Sequence, residues 1–118
     1  MWKVYGITKC TTVQKALTWL DIHGVKTPLH DFKKDGLPEA DLLRWMNERG
    51  WEKILNRASL TWRHFSDEDK LAVVDAPSAL ELARKNPSVI RRPLLVRDGE
   101  LIDIGFSEKR YEQTFEPK

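Results

Sequence analysis

Residues 2–22 read WKVYGITKCTTVQKALTWLDI. The first part, WKVYGI, alternates and is rich in β-branched and aromatic residues as a short strand is, and Gly6 breaks the run just before TKC. From Thr11 onward Val13, Ala16, Leu17 and Leu20 recur at helical spacing, and Gly24 stands where a left-handed C-terminal cap belongs, so the pattern predicts a helix over 11–23. The chain therefore passes from strand to helix through Cys10, its only cysteine.

Downstream, VKTPLHDF (25–32) reads as a second strand in which Pro28 argues for an edge position or a bulge, and KKDG turns the chain. This completes a β-α-β unit, right-handed if both strands share a sheet. Pro38 suits a first helical position, EADLLRWMNER carries Leu42, Trp45 and Met46 on one face, and Gly50 closes it. WEKILN adds a turn or two of helix. SDEDKLAVV opens on Ser66 with Asp69 three residues later, the spacing of a capping box, and APSALELARKNP has Pro77 near its start and Asn86-Pro87 as its stop. Residues 38–86 are thus expected to be mostly helical. PLLV and ELIDIGF then flank RDG, an Asp-Gly hairpin signal, and Ser107 can cap a last helix, EKRYEQTF. The order β-α-β, helices, β-β-α fits an α/β sandwich with one mixed sheet, and a thioredoxin-like arrangement with a helical insertion is its simplest member.

The length of 118 residues, with 41% hydrophobic, suffices for one core, and no repeat, low-complexity stretch or linker divides the chain. One domain over 1–118 is the expectation. A formal charge of +2, from 20 basic and 18 acidic residues, is too small to draw the chain onto nucleic acid or an anionic bilayer. The opening residues MWKVYGITKC lack a secretory signal's apolar core, and no run is long enough to cross a membrane, which predicts a cytoplasmic protein. A monomer is expected, because no amphipathic stripe is left over once the core elements are assigned.

A thiolate is the nucleophile, and a free cysteine with a pKa of about 8.5 is mostly protonated at neutral pH unless its surroundings favour the charge. The first turn of the helix offers unpaired N–H groups and the positive end of its dipole, and Lys9 or Thr12 could add a charge or a hydroxyl. The alternative is a buried filler at a strand-helix junction. Where a two-cysteine redox motif has its partner, three residues on, this chain has Val13. Any adduct on Cys10 must therefore be released by an outside thiol, and glutathione is the abundant cytosolic one.

VIRRPLLV places Arg91, Arg92 and Pro93 at the mouth of a strand, where guanidinium groups could hold a carboxylate or oxyanion, or simply be solvated charges. Arg57 and Arg63 in NRASLTWRHF stand open to the same two readings. His23, His30 and His64 are scattered without cysteines or carboxylates at ligand spacing, so no metal site is expected. No Gly-rich phosphate loop occurs. Trp19 and Trp45 fall on apolar helical faces and read as core, whereas Trp62, beside Arg63, reads as a pocket wall.

Taken together, YGITKCTTVQKALTWLDIHGV, HDFKKDGL, GWEKILNRASLTWR and IRRPLLVRDGELIDIGF resemble the arsenate-reductase-like family that includes ArsC and Spx, most closely its YffB branch. The resemblance implies a thioredoxin-like fold with an inserted helical bundle. It implies that Cys10 is the catalytic cysteine, that Arg63 and Arg92 surround it, and that Pro93 corresponds to the cis-proline of thioredoxin folds. Arsenate reductases carry a third anion-binding arginine after the hairpin, where this chain has Gly105 and Phe106. That departure favours a glutathione-dependent thiol reductase acting on a small oxidised or disulfide substrate over an arsenate reductase proper. Its partners would be glutathione as co-substrate, with no bound cofactor, and glutaredoxin. Lys9, Thr12, Arg63, Arg91, Arg92 and Pro93 would bind glutathione or an anion. The other reading is an Spx-like regulatory adaptor that binds RNA polymerase.

Overall fold

In the computed structural model, which describes residues 1–116, the opening strand and helix form as β1 (Trp2–Gly6) and α1 (Thr11–Ile22). Gly24 ends α1 with φ +73, the left-handed conformation that glycine adopts without steric cost. The second strand is shorter than the pattern predicts: β2 spans only Leu29–Asp31. Pro28 has no N–H for a ladder, although its carbonyl accepts from the Val4 N–H at 3.1 Å just ahead of the strand.

β3 (Leu94–Arg97) and β4 (Glu100–Ile104) complete a four-stranded sheet in the order β2-β1-β3-β4. β1 pairs parallel with β2 and antiparallel with β3, which pairs antiparallel with β4. The sheet is therefore mixed. Asp98 at φ +49 and Gly99 at φ +85 make the two-residue turn between β3 and β4, with Arg97 opposite Glu100. Leu95 faces Asp103 while Val96 faces Leu101, so Ile102 is the extra residue of a β-bulge. A final helix, α7 (Glu108–Thr114), starts with the Ser107 hydroxyl accepting from the Arg110 N–H.

The chain divides into two compact units, one made of Met1–Asp31 with the described chain from Arg92 onward, the other of Phe32–Arg91. The first holds the sheet, α1 and α7, around a core of Val4, Ala16, Trp19, Leu20, Leu95 and Tyr111. The second contains α2 (Glu39–Arg49), α3 (Trp51–Ile54), α4 (Leu60–His64), α5 (Asp67–Leu71), α6 (Ala76–Lys85) and a 3-10 turn, Pro87–Val89. Leu42, Trp45 and Met46 on α2 and Ala79, Leu80 and Ala83 on α6 are buried there, and α2 packs against α6.

Two local expectations need correction, and one short helix is added within the expected helical stretch. Pro38 is the N-cap of α2 rather than its first helical residue. Residues 60–64, which carry no helical pattern of their own, form α4 because the Ser59 hydroxyl accepts from the Trp62 N–H and caps it. At Ser66 only half of the capping box is built: its hydroxyl accepts from the Asp69 N–H, but the Asp69 carboxylate is taken by Lys85 Nζ at 2.9 Å. The reciprocal box lies at α6, between Asp75 and Ser78, with acid and hydroxyl in exchanged places.

Tyr111 is fully buried among Trp19, Phe106 and Phe115, and its hydroxyl has no hydrogen-bond partner among the described residues. Burial, with the Asp103 charge second, pushes this phenol well above its ordinary pKa. A buried hydroxyl left unsatisfied costs about 1–3 kcal/mol, while the ring supplies the packing. Tyr111→Phe should therefore raise stability by about 1 kcal/mol or more in urea or thermal unfolding; a destabilised variant would show that the hydroxyl has a use in the core.

Candidate thiol active site

Cys10 is the N-cap of α1, with extended backbone (φ −78, ψ 123). The turn that delivers it closes where the Cys10 N–H donates to Ile7 O at 3.0 Å, and its own carbonyl accepts the first helical bond, from the Gln14 N–H at 3.0 Å. An N-cap side chain faces the N–H groups two and three residues on, here Thr12 and Val13. The thiol is partly exposed, and its Sγ does not complete a cap hydrogen bond. Its charge is nevertheless favoured. Burial alone would push the pKa up, but the Val13 N–H, the hydrogen bond and charge of the Arg92 guanidinium, and the Thr12 N–H together outweigh burial and hold it below the ordinary thiol value.

α1 is held close to β1 at this point because Gly6 has no side chain. A Cβ at Gly6 would lie 2.7 Å from Cγ2 of Val13, which is fully buried. Val13 is stiff at χ1 and cannot swing away. Gly6→Ala should cost about 1–3 kcal/mol and raise the thiol pKa by displacing the Val13 N–H. Adding Val13→Ala should recover part of both effects, as read from unfolding curves and the pH dependence of thiol alkylation.

Arg92 and Pro93 begin the returning half of the sheet unit, and the Arg92–Pro93 peptide bond is cis. Pro93 is buried, and its carbonyl accepts from the Gly105 N–H at 2.8 Å, tying the mouth of β3 to the end of β4. Gly105 has φ +82, where a side chain would be strained, and a Cβ there would sit 3.6 Å from Arg110 Nη2. Arg110 itself is engaged, with Nε 3.1 Å from Asp103 Oδ1 and Nη2 donating to Ile104 O.

The other expected site residues are distributed as follows. Lys9 is exposed in the loop before the thiol. Thr12 contributes its backbone N–H, while its side chain is exposed. Arg63 is exposed on α4, and Arg91 is exposed with its N–H on Ile54 O at 2.7 Å; both belong to the helical unit. Trp62 is half-buried on α4 in that unit. Among the described residues no group of His, Cys, Asp and Glu could hold a metal ion, and no helix is long and apolar enough to cross a membrane.

Two contributors to the site do not stand out in the sequence. Val13 draws attention there as an apolar position of the helix and as the residue at which a second cysteine would be expected, although its position three residues after the N-cap is the signal that its N–H faces the thiol. The other is a groove of about 760 Å³ that starts at Thr11 and Thr12 and follows α1 to Ile22, with Phe106, Ser107 and Glu108 on its other side.

A mixed four-stranded sheet, with a single cysteine at the start of the helix that leaves the central parallel strand, is a thioredoxin-like α/β arrangement. The sequence matches the ArsC family over residues 5–114, and the chain belongs to that family. Among solved structures it is similar to the YFFB protein, with a TM-score of 0.87 and 40% identity over 96% of this chain and 97% of that one. It is also similar to an arsenate reductase (ArsC) related protein from Brucella melitensis, with a TM-score of 0.75 and 41% identity over 98% and 95%. Among curated proteins, an uncharacterized protein of Haemophilus influenzae is 40% identical over 95% of this chain and 96% of its own. The global transcriptional regulator Spx of Streptococcus mutans is 33% identical over 84% and 72%.

Proposed function

We propose that the protein is a glutathione-dependent thiol reductase with a one-cysteine cycle. The observation that carries the reading is the environment of Cys10, in which two helix N–H groups and the Arg92 guanidinium favour the thiolate at a partly exposed site. The thiolate attacks the glutathione sulfur of a mixed disulfide, the new bond joins Cys10 to glutathione, and the other sulfur leaves as a thiolate that takes a proton from water. A second glutathione, as thiolate, then attacks the glutathione sulfur of the adduct, which frees Cys10 and forms oxidised glutathione. The substrate's other sulfur is reduced to a thiol, the incoming glutathione sulfur is oxidised in its place, the glutathione that came with the substrate stays at the disulfide level throughout, and the protein is unchanged. With Val13 at the resolving position, the outside thiol is required rather than optional.

The groove beginning at Thr11 and Thr12 is of a size that suits a small ligand and would receive the non-reacting part of the substrate. Lys9, Arg92 and the N–H of Thr12 would meet carboxylates or the developing thiolate, and Pro93 would offer backbone. Arg63 and Arg91 are further anion ligands by the family resemblance alone. Gly105, at a backbone angle that disfavours a side chain, and Phe106 stand where arsenate reductases have an arginine, so a disulfide is preferred to arsenate as substrate.

The test is mass spectrometry of the protein after incubation with oxidised glutathione, followed by a reductase assay on glutathione mixed disulfides. A glutathionyl adduct on Cys10, discharged by reduced glutathione with turnover, is expected. An inert thiol would end this reading. Similarity to an Spx regulator favours one further reading, a transcriptional adaptor, for which retention of RNA polymerase together with absence of turnover would be the signature.

A further inference from the structure

Asp31 is the only buried charged residue of the described chain, at 4% exposure, and it ends β2, one strand away from the thiol. Its Oδ2 accepts twice from one residue, from the Thr8 N–H at 2.8 Å and from the Thr8 hydroxyl at 2.5 Å. Thr8 lies within the turn from Ile7 to Cys10. The remaining polar group of Thr8, its carbonyl, accepts from Gln14 Nε2 at 2.5 Å, on the first turn and a half of α1. Every polar group of Thr8 is thus tied to β2 or α1, two residues before the sulfur.

From this geometry we infer that Asp31 is a positioning residue for Cys10, acting through Thr8 to fix the turn that aims the sulfur at the Thr12 and Val13 N–H groups and at Arg92. The inference rests on the reading of Cys10 as the nucleophile. A buried carboxylate is a costly way to hold a loop unless its acceptors are used in full, and the two bonds to Thr8 use one oxygen completely. A negative group nearby disfavours a second one, so the benefit must come through placement of the turn and not through the field.

That opposition of signs supplies the experiment. The pH dependence of Cys10 alkylation by iodoacetamide is measured on the full chain, with thermal unfolding as control, for wild type, Asp31→Ala, Asp31→Asn, Thr8→Val and Thr8→Ser. Positioning predicts that Asp31→Ala and Thr8→Val raise the midpoint by about one unit, a roughly tenfold loss of thiolate well below it. Asp31→Asn and Thr8→Ser, which keep the acceptor and the hydroxyl, should stay near the wild-type midpoint. If Asp31→Ala does not fold, the Thr8 pair decides. Lower midpoints in both Asp31 variants, with Thr8→Val unchanged, would assign Asp31 a purely electrostatic effect and overturn the inference. So would unfolding temperatures that fall while the midpoints stay at the wild-type value. A wild-type thiol that itself titrates at the ordinary value overturns the proposed function instead, and the wild-type curve alone shows it.

Discussion

Cys10→Ser should leave a folded protein whose reductase turnover is lower by about a thousandfold or more. A serine hydroxyl at the same N-cap does not ionise in the working range, and no second thiol exists to take over. The substitution should also leave a mark on stability, with a definite sign. Because folding lowers the thiol pKa, the unfolded chain binds more protons than the native one between the folded value and the unfolded value of about 8.5. Wild type therefore gains stability over the serine variant as pH rises through that window. The gain is complete above the unfolded value and is lost as pH falls through the folded value. Urea unfolding at a series of pH values measures it, and a difference that stays flat with pH would show that the native thiol is not acidic. Activity and stability thus examine one charge by independent routes.

The second large effect is expected at Arg92. Among the described residues it is the one side chain that acts on the Cys10 thiolate by both hydrogen bond and charge. Arg92→Ala should cost about 1–3 kcal/mol of transition-state stabilisation, or about fivefold to 150-fold in kcat/KM near neutral pH. The thiol's midpoint should rise in the same variant. The two proteins should converge partway as pH climbs past the variant's midpoint, because both then carry a thiolate, and the remaining gap measures what Arg92 does for the substrate. Arg92→Lys restores charge without the planar fork, so it should recover the midpoint better than the rate. Equal rates for wild type and Arg92→Ala at neutral pH would remove Arg92 from the site.

The parts of the fold that are legible in the sequence are those specified by neighbours in the chain. Asp98 and Gly99 announce their turn because both must take positive φ, and Val13, Ala16 and Leu20 mark the buried face of α1 by spacing alone. Cys10 is legible for the same reason, as the residue between a strand pattern and a helix pattern. Asp31 is not: its meaning depends on Thr8, 23 residues earlier, and only the parallel pairing of β1 with β2 brings them together. Arg92 is the intermediate case, since its position before a strand is visible in the sequence but its reach to the thiol depends on the antiparallel pairing of β3 with β1. The misplaced capping box has a simpler cause. The Ser-x-x-Asp spacing occurs at 66–69, but Asp69 has a better partner in Lys85, and the working box uses Asp-x-x-Ser.

The margins of the sheet bear on how this protein behaves when crowded. β2 offers three residues with a proline just before them, and β4 is kinked at Ile102. Neither presents the long, flat row of open amides and carbonyls on which a foreign strand could dock and recruit others. Concentrated stocks should consequently stay clear on storage and resist seeding into fibrils.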